Sequence, residues 1–361
     1  MNIVLTGGGT GGHVYPAISI AQTLKDLDEK IKILYIGSSS SIEERVSASH
    51  NIDFIGVHSA SLPEIKSFKC LKAIKDVAQG VVEAKKALDS FDCDLVFGTG
   101  GYVCYPVFIA QKMRKKPIVI HEQNAIGGKT NKEFAKYATY ICTTFDNKDF
   151  PLEKIVQTGL PIRKSFKIQI PKKYYSEDFG IPKDKFVILV CGGSQGAKAI
   201  NDTIVEILPQ LKDENIEIIH QTGKKKYEDV INATKGIEAH NYHPYDYIDM
   251  YKALNVADLV IGRAGASTLT EILTQGVPSV LIPFPYAASN HQFYNAKHSS
   301  DEGASILIEE KNLKGEELLK IIKDLIQNPE KLREMSLATE KVIIPNPEEK
   351  IVEVIFKTLN K

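Results

Sequence analysis

One pattern occurs twice along the 361-residue chain and constrains its fold more than any other feature. A short apolar run ends in a glycine-rich turn, and the turn opens a helix. The first copy runs from Asn2-Ile3-Val4-Leu5-Thr6 through "GGGTGGH" at 7–13. Apolar positions at Ala17, Ile20, Ala21 and Leu24 then predict a helix over 16–24. The second copy runs from Phe186-Val187-Ile188-Leu189-Val190 into "CGGSQGAKAIND" at 191–202. Strand, turn and helix in this order build parallel sheets. Glycine permits positive φ and lets a ligand approach the backbone closely. The amides at the start of the following helix favour an anion such as a phosphate.

Further strand-like runs alternate with helical stretches. Ile33-Leu34-Tyr35-Ile36, Leu95-Val96-Phe97, Ile118-Val119-Ile120 and Thr139-Tyr140-Ile141-Cys142 belong to the first half. Ile216-Glu217-Ile218-Ile219-His220, Leu259-Val260-Ile261 and Ser279-Val280-Leu281-Ile282 belong to the second. The chain is longer than one compact core usually covers, so two domains are expected. Residues 161–182 hold three prolines, many charges and little periodicity, and read as a linker. The expected domains are 1–162 and 163–345, with 346–361 a helix packing back across the boundary. Ligands of open parallel sheets bind at the carboxyl ends of the strands. Both glycine-rich turns sit at such ends and are expected to face a cleft.

Formal charge is balanced, with 45 basic and 45 acidic residues, so bulk charge gives no sign of nucleic-acid binding. The five cysteines are scattered and form no CxxC pair, which argues against a disulfide framework or zinc site and fits a reducing compartment. No apolar run is long enough to span a bilayer. The sequence opens directly on a strand-like run, so no signal peptide is expected.

Several polar clusters follow strands. A dinucleotide fingerprint would place an acid at the end of the second strand. Here that strand runs into Gly37-Ser38-Ser39-Ser40, with no acid before Glu43, which lowers the odds of NAD or FAD. "DCD" at 92–94 resembles a metal-binding DxD but precedes its strand, at the wrong end for a site. "GTGGY" at 98–102 and "HEQN" at 121–124 lie at the ligand end. "RAGASTLTE" at 263–271 suggests a helix from about Ala266 whose first amides meet a diphosphate, with Glu271 accepting from a ribose diol. In "PFPYAASNHQFYNA" at 283–296, Gln292 and Asn295 are uncharged hydrogen-bonders suited to sugar hydroxyls. His13 stands at the mouth of the first turn and takes a proton near neutral pH. Residues 65–88 combine Ile65, Phe68, Leu71 and Ile74 with Lys69, Lys72 and Lys75. That stretch suits either an anionic membrane surface or a helix with one core face and one wet face.

Together "GGTGGHVYPA", "GTGGY", "HEQNAIGGKTNK", "TGLPIRKSF", "GGSQGAKAIN", "RAGASTLTE" and "PFPYAASNHQFYNA" resemble, in order and spacing, the MurG family of UDP-N-acetylglucosamine:lipid I N-acetylglucosaminyltransferases. The resemblance covers essentially the whole chain. It implies an α/β protein of the GT-B fold, with two Rossmann-like domains whose parallel sheets face a central cleft. The first would take the lipid acceptor and the second the UDP-sugar. The implied reaction is an inverting transfer of N-acetylglucosamine to the C4 hydroxyl of the muramoyl sugar of lipid I, giving lipid II and UDP in peptidoglycan synthesis. No cofactor and no obligatory metal are implied. The implied location is peripheral, on the cytoplasmic face of the bacterial membrane. Other GT-B enzymes, namely a diacylglycerol glycosyltransferase or a UDP-sugar epimerase, and a non-catalytic nucleotide-sugar-binding module are the rival readings.

Carried over by motif, Thr10, Gly11 and Gly12 match the closing turn, and His13 the general base. Asn124 matches a sugar contact, Arg163 a group near the diphosphate, and Ser194 a phosphate contact. Ala266, Ser267, Thr268, Leu269, Thr270 and Glu271 match the donor loop and helix, with Glu271 on the ribose. Gln292 matches a reader of sugar hydroxyls, and Ile248 a backbone contact to uracil, with Tyr247 the alternative. Many relatives carry two adjacent glutamines where this chain has His291-Gln292, which leaves the role of His291 open.

Overall fold

The computed structural model describes residues 1–39, 41–61, 68–168, 170–193 and 195–360. The chain divides into two compact units, Met1–Arg163 with Ile344–Lys361, and Lys164–Ile343.

The first unit is built on a seven-stranded parallel sheet of order β3-β2-β1-β4-β5-β6-β7. Its strands are β1 (Asn2–Thr6), β2 (Lys32–Ser38), β3 (Asp53–Val57), β4 (Leu95–Gly98), β5 (Ile118–Glu122), β6 (Tyr140–Thr143) and β7 (Ile155–Gln157). Helices α1 (Gly11–Leu27), α2 (Ile42–Ser49), α3 (Phe68–Ser90), α4 (Cys104–Met113) and α5 (Lys129–Phe134) connect them. Successive strand residues alternate between faces, so β1 feeds two cores. Ile3 and Leu5 join Val14, Ile20 and Leu24 of α1 on one face. Val4 joins Val107 and Phe108 of α4 on the other.

The second unit carries a six-stranded parallel sheet of order β10-β9-β8-β11-β12-β13. Its strands are β8 (Phe186–Cys191), β9 (Ile216–Gln221), β10 (Tyr242–Tyr245), β11 (Leu259–Gly262), β12 (Ser279–Leu281) and β13 (Ser305–Leu307). Its helices are α6 (Lys198–Leu211), α7 (Tyr227–Ala233), α8 (Met250–Val256), α9 (Ala266–Thr274), α10 (His291–Asp301), α11 (Gly315–Gln327) and α12 (Pro329–Val342). Strand order reverses beside β1 in one sheet and beside β8 in the other. Each reversal is the place where an open α/β sheet leaves a crevice at its carboxyl edge.

The last helix, α13 (Pro347–Thr358), belongs to the first unit. Ile351, Val352, Val354 and Ile355 are buried in the core that α1 shares with β1. Ser19 of α1 donates to the buried Glu348 carboxylate at 3.0 Å.

Residues 164–182 do not form the linker that their composition suggested. They wrap onto the second unit, with Phe166, Phe179 and Ile181 buried. The Phe166 ring meets Tyr251 of α8 edge-on at 5.3 Å. Lys173 Nζ donates to the Val256 carbonyl at 2.6 Å and pairs with Asp258. Charges and prolines hid a few large apolar anchors.

Two fully buried histidines make the fold acid-sensitive. Burial pushes the His121 imidazole down to about 4 and that of His220 down to about 3. Both lie below the free-imidazole value, so the unfolded chain binds these protons first and acid favours unfolding. Above about pH 6.5 neither state is protonated and there is no penalty. As pH falls from there towards about 4, stability should drop by on the order of 3 kcal/mol for His121 alone. Melting followed across that range should show this fall, and His121→Gln should make it shallower, leaving the part due to His220. A melting temperature independent of pH in that window contradicts the assignment.

Candidate functional site

In the first unit the glycine-rich turn leaves β1 at its carboxyl end, and α1 begins at Gly11. The helix starts earlier than the periodicity suggested because glycines carry no apolar side chain to count. Pro16, which looked like a first-turn proline, lies in the second turn. Gly11, Gly12 and His13 are therefore the first helical residues. Thr10 is the N-cap, with extended backbone, but its side chain makes no capping bond. Its hydroxyl instead meets His13 Nδ1 at 3.1 Å.

The turn is fixed from every side. The Gly8 amide donates to the Gly100 carbonyl at 3.2 Å. Thr99 Oγ1 donates to the His13 carbonyl at 2.6 Å, and Tyr35 Oη to the Gly7 carbonyl at 2.6 Å. Gly101 adopts φ +86°, and a Cβ there would stand 2.3 Å from the Gly8 carbonyl oxygen. A Cβ on Gly100 would lie 3.4 Å from the His13 ring. "GTGGY" is thus the surface on which the histidine turn rests.

"HEQN" divides in two. β5 continues through Glu122, and His121, Glu122 and Gln123 are all buried. His121 Nε2 bonds the Gly159 carbonyl at 2.9 Å, and Gln123 donates to the Thr99 carbonyl at 2.6 Å. Burial pushes the Glu122 carboxyl up, against four donors that hold it down. These are the amides of Gly128 and Asn124 and the side chains of Asn131 and Asn124, at 2.8–3.2 Å. The buried carboxylate therefore shapes the loop that carries Asn124, and only Asn124 of the four residues is partly exposed. Arg163, at the end of the first unit's main segment, is exposed. "DCD" lies at the amino edge of β4, where Asp94 accepts from the Asn2 amide at 2.9 Å and joins the strand starts.

In the second unit three turns leave the carboxyl ends of β8, β11 and β12. After β8, Gly196 adopts φ +71°, and a Cβ there would stand 1.9 Å from the Thr222 carbonyl oxygen. Ser194 lies outside the described residues. After β11, α9 begins at Ala266, as expected, with Gly265 as an N-cap that offers no side chain. The amides of its first turn have no acceptor within the helix. Leu269 is different. Its amide donates to the Gly265 carbonyl at 2.9 Å and its side chain is fully buried. Ala266 is buried, while Ser267, Thr268, Thr270 and Glu271 are partly exposed. The Cys191 thiol, at the end of β8, is pushed up to about 12 by burial and, secondarily, by the Glu271 charge.

The segment after β12 is tied to the same place. Gln292 Oε1 accepts from the Phe284 amide at 3.0 Å. Asn295 is fully buried and donates to the Ala264 carbonyl at 3.1 Å. It anchors the β11 loop instead of reading a sugar, contrary to the expectation. His291 Nδ1 bonds the Ala288 carbonyl at 2.7 Å. Sequence reasoning gave Arg263 no role. Its guanidinium donates to the carbonyls of Ile282 and Pro283 at 3.0 and 3.1 Å and pairs with Glu310, clamping these two loops together. Ile248 is buried and Tyr247 exposed, so at Ile248 only the backbone is offered. Among the described residues no group of three or more His, Cys, Asp or Glu is arranged to hold a metal ion.

Two parallel α/β units, each with glycine-rich turns at the carboxyl edge of its sheet, form the architecture of GT-B glycosyltransferases. Residues 3–143 match the glycosyltransferase family 28 N-terminal domain, and residues 187–352 its C-terminal domain. The UDP-N-acetylglucosamine–N-acetylmuramyl-(pentapeptide) pyrophosphoryl-undecaprenol N-acetylglucosamine transferase of Desulforamulus reducens is 39% identical over 99% of both chains. The Bacillus subtilis enzyme of the same name is 35% identical over 98% of this chain and 99% of its own. The crystal structure of Acinetobacter baumannii MurG superposes with a TM-score of 0.80 at 29% identity, over 99% of both chains. A UDP-GlcNAc 2-epimerase from Neisseria meningitidis shares the fold, with a TM-score of 0.70 at 14% identity. The chain belongs to glycosyltransferase family 28, among its MurG-type N-acetylglucosaminyltransferases.

Proposed function

We propose that this enzyme transfers N-acetylglucosamine from UDP-N-acetylglucosamine to the C4 hydroxyl of the muramoyl sugar of lipid I. The products are lipid II and UDP. The observation that carries this reading is the full-length relation to transferases of that name, in a chain whose family motifs fall at the carboxyl edges of its two sheets.

The first unit presents the acceptor, with His13 as general base. Thr10 Oγ1 lies 3.1 Å from Nδ1; with Nδ1–H donating to that hydroxyl, Nε2 is the ring nitrogen that takes the proton. The C4 oxygen attacks the anomeric carbon, its proton passes to Nε2, and the bond from that carbon to the diphosphate breaks with inversion. Asn124 contacts the sugar. The second unit holds the donor. The first-turn amides of α9 (Ala266, Ser267 and Thr268) and the dipole of that helix take up charge on the departing diphosphate, with Ser194 and Arg163. Thr270 belongs to the same donor helix, Glu271 accepts from the ribose, Gln292 reads the sugar hydroxyls, and the Ile248 backbone contacts uracil. Thr10, Gly11 and Gly12 form the part of the first turn that closes over the reactants.

The test is UDP release from UDP-N-acetylglucosamine with and without a lipid I analogue. Release that requires the muramoyl lipid is expected. Release without an acceptor, or with diacylglycerol alone, contradicts the reading.

The acceptor is lipid-borne, so the enzyme works at the cytoplasmic face of the membrane as a peripheral protein. No described helix is long and apolar enough to cross a membrane. Of the apolar residues expected to touch the bilayer, Ile65 lies outside the described residues, and Phe68 and Leu71 sit at the start of α3. Ile74 is 53% exposed, between the exposed Lys72 and Lys75. Farther along α3, the exposed Val82 lines a surface depression with Met113, Lys85, Lys86 and Asp89. Co-sedimentation with anionic vesicles should fall by roughly tenfold in Ile74→Glu, because one apolar contact is lost and a like charge is added. Equal binding of both proteins would remove α3 from the membrane contact.

A further inference from the structure

Glu43 stands in the first turn of α2 yet does not serve that helix. The α2 N-cap is Ser41, whose side chain accepts from the Glu44 amide. The Glu43 side chain turns inward and is 1% exposed. Its Oε1 accepts from the Gly9 amide at 2.6 Å, and its Oε2 has no hydrogen-bond partner among the described residues. Burying a carboxylate is unfavourable unless its acceptor capacity is used, and half of it is idle here.

Glycines line the Glu43 side chain and the amide that it holds. A Cβ on Gly8 would stand 1.7 Å from Glu43 Oε1, and one on Gly37 would stand 3.1 Å from Glu43 Cβ. Gly9 adopts φ +86°, which favours glycine. A tight strand-to-helix turn needs none of this, since the Gly8 amide and the Gly7 carbonyl already have partners in Gly100 and Tyr35. The added bond fixes Gly9, the residue before Thr10. Thr10 in turn holds His13 twice, through its carbonyl to the His13 amide at 3.1 Å and through its hydroxyl to Nδ1 at 3.1 Å.

We infer that Glu43 is a positioning residue for transfer: its buried carboxylate holds the Gly9 amide and so sets the Thr10–His13 pair. The inference rests on the role proposed above for His13. A charged acceptor makes a stronger bond to an amide than a neutral one, so the turn is held more firmly than glycines alone would hold it. The same bond removes the Gly9 donor from any anion that approaches the turn.

Glu43→Ala and Glu43→Gln separate this role from a merely structural one. Glutamine keeps an oxygen for the Gly9 amide and alanine does not. In Glu43→Ala, turnover should fall by about tenfold or more with the KM for UDP-N-acetylglucosamine unchanged, since an interaction felt in the transition state is lost while donor binding is not. Hydrogen exchange at the Gly9 amide should quicken by roughly tenfold while core amides of β1 keep their protection. Glu43→Gln should recover both to within about threefold of the parent, as a neutral acceptor replaces a charged one. Parent-like turnover in Glu43→Ala, or exchange quickened equally throughout the first unit, overturns the inference. The exchange result needs no substrate. Absent turnover in the parent would therefore sink the functional reading while Gly9 still reports on the carboxylate.

Discussion

Replacing His13 by alanine is expected to cut turnover by roughly 100-fold or more while leaving the affinity for UDP-N-acetylglucosamine near that of the parent. The expectation follows from two features of the first turn of α1. His13 is only partly buried, at the carboxyl edge of a parallel sheet, where ligands of this fold bind. Its ring is steadied by Thr10 Oγ1 at 3.1 Å on Nδ1. A histidine oriented through one nitrogen transfers the proton at the other. Its loss removes proton acceptance from the attacking hydroxyl, while the donor is proposed to be held by other residues, those of the second unit. Isothermal titration with the donor and steady-state turnover with a lipid I analogue check both halves. Unchanged turnover would remove His13 from the chemistry, and a matching loss of donor affinity would make it a binding residue.

The second large effect is expected at Glu271, with the opposite signature. Glu271→Ala should raise the KM for the donor by about 10- to 100-fold, because a charged acceptor shared with a ribose diol contributes on the order of 1.5–3 kcal/mol. Turnover at saturating donor should stay within a few-fold of the parent, since the ribose is remote from the bond that breaks and is bound alike in ground and transition states. The carboxylate is partly exposed on α9, and its charge reaches Cys191 at the end of β8. An unaltered donor KM would contradict the ribose role. A collapse of kcat alone would move Glu271 into the chemistry.

The sequence revealed much of this fold because parallel strands buried on both faces read as short apolar runs. β1, β2, β4, β5, β6, β8, β9, β11 and β12 all show such runs. The pattern passed over β3, β7, β10 and β13, which are the four edges of the two sheets. Edge strands are wetter and tolerate breakers, as Gly56 in β3 and Pro244 in β10 illustrate. At the candidate site the motifs fell where expected, on the turns after β1, β4, β8, β11 and β12. What the sequence hid was the direction of each side chain. "HEQN" looked like four residues offered to a ligand, yet His121, Glu122 and Gln123 point into the protein. Asn295 and Arg263 likewise spend their hydrogen bonds on loop carbonyls. Glu43 was noticed only as an acid too late for a dinucleotide site. Its inward turn depends on Gly8 and Gly37, which come together only after folding.

Transfer moves the N-acetylglucosaminyl group intact, with inversion, from UDP to a muramoyl lipid. Its most direct test is to incubate the enzyme with isotopically labelled UDP-N-acetylglucosamine and a lipid I analogue and to identify the sugar product by mass spectrometry and NMR. One labelled N-acetylglucosamine joined through a β-linkage to the muramoyl C4 oxygen is expected for each UDP released. Label recovered as an epimerised UDP-sugar, as free sugar, or in an α-linkage would contradict it.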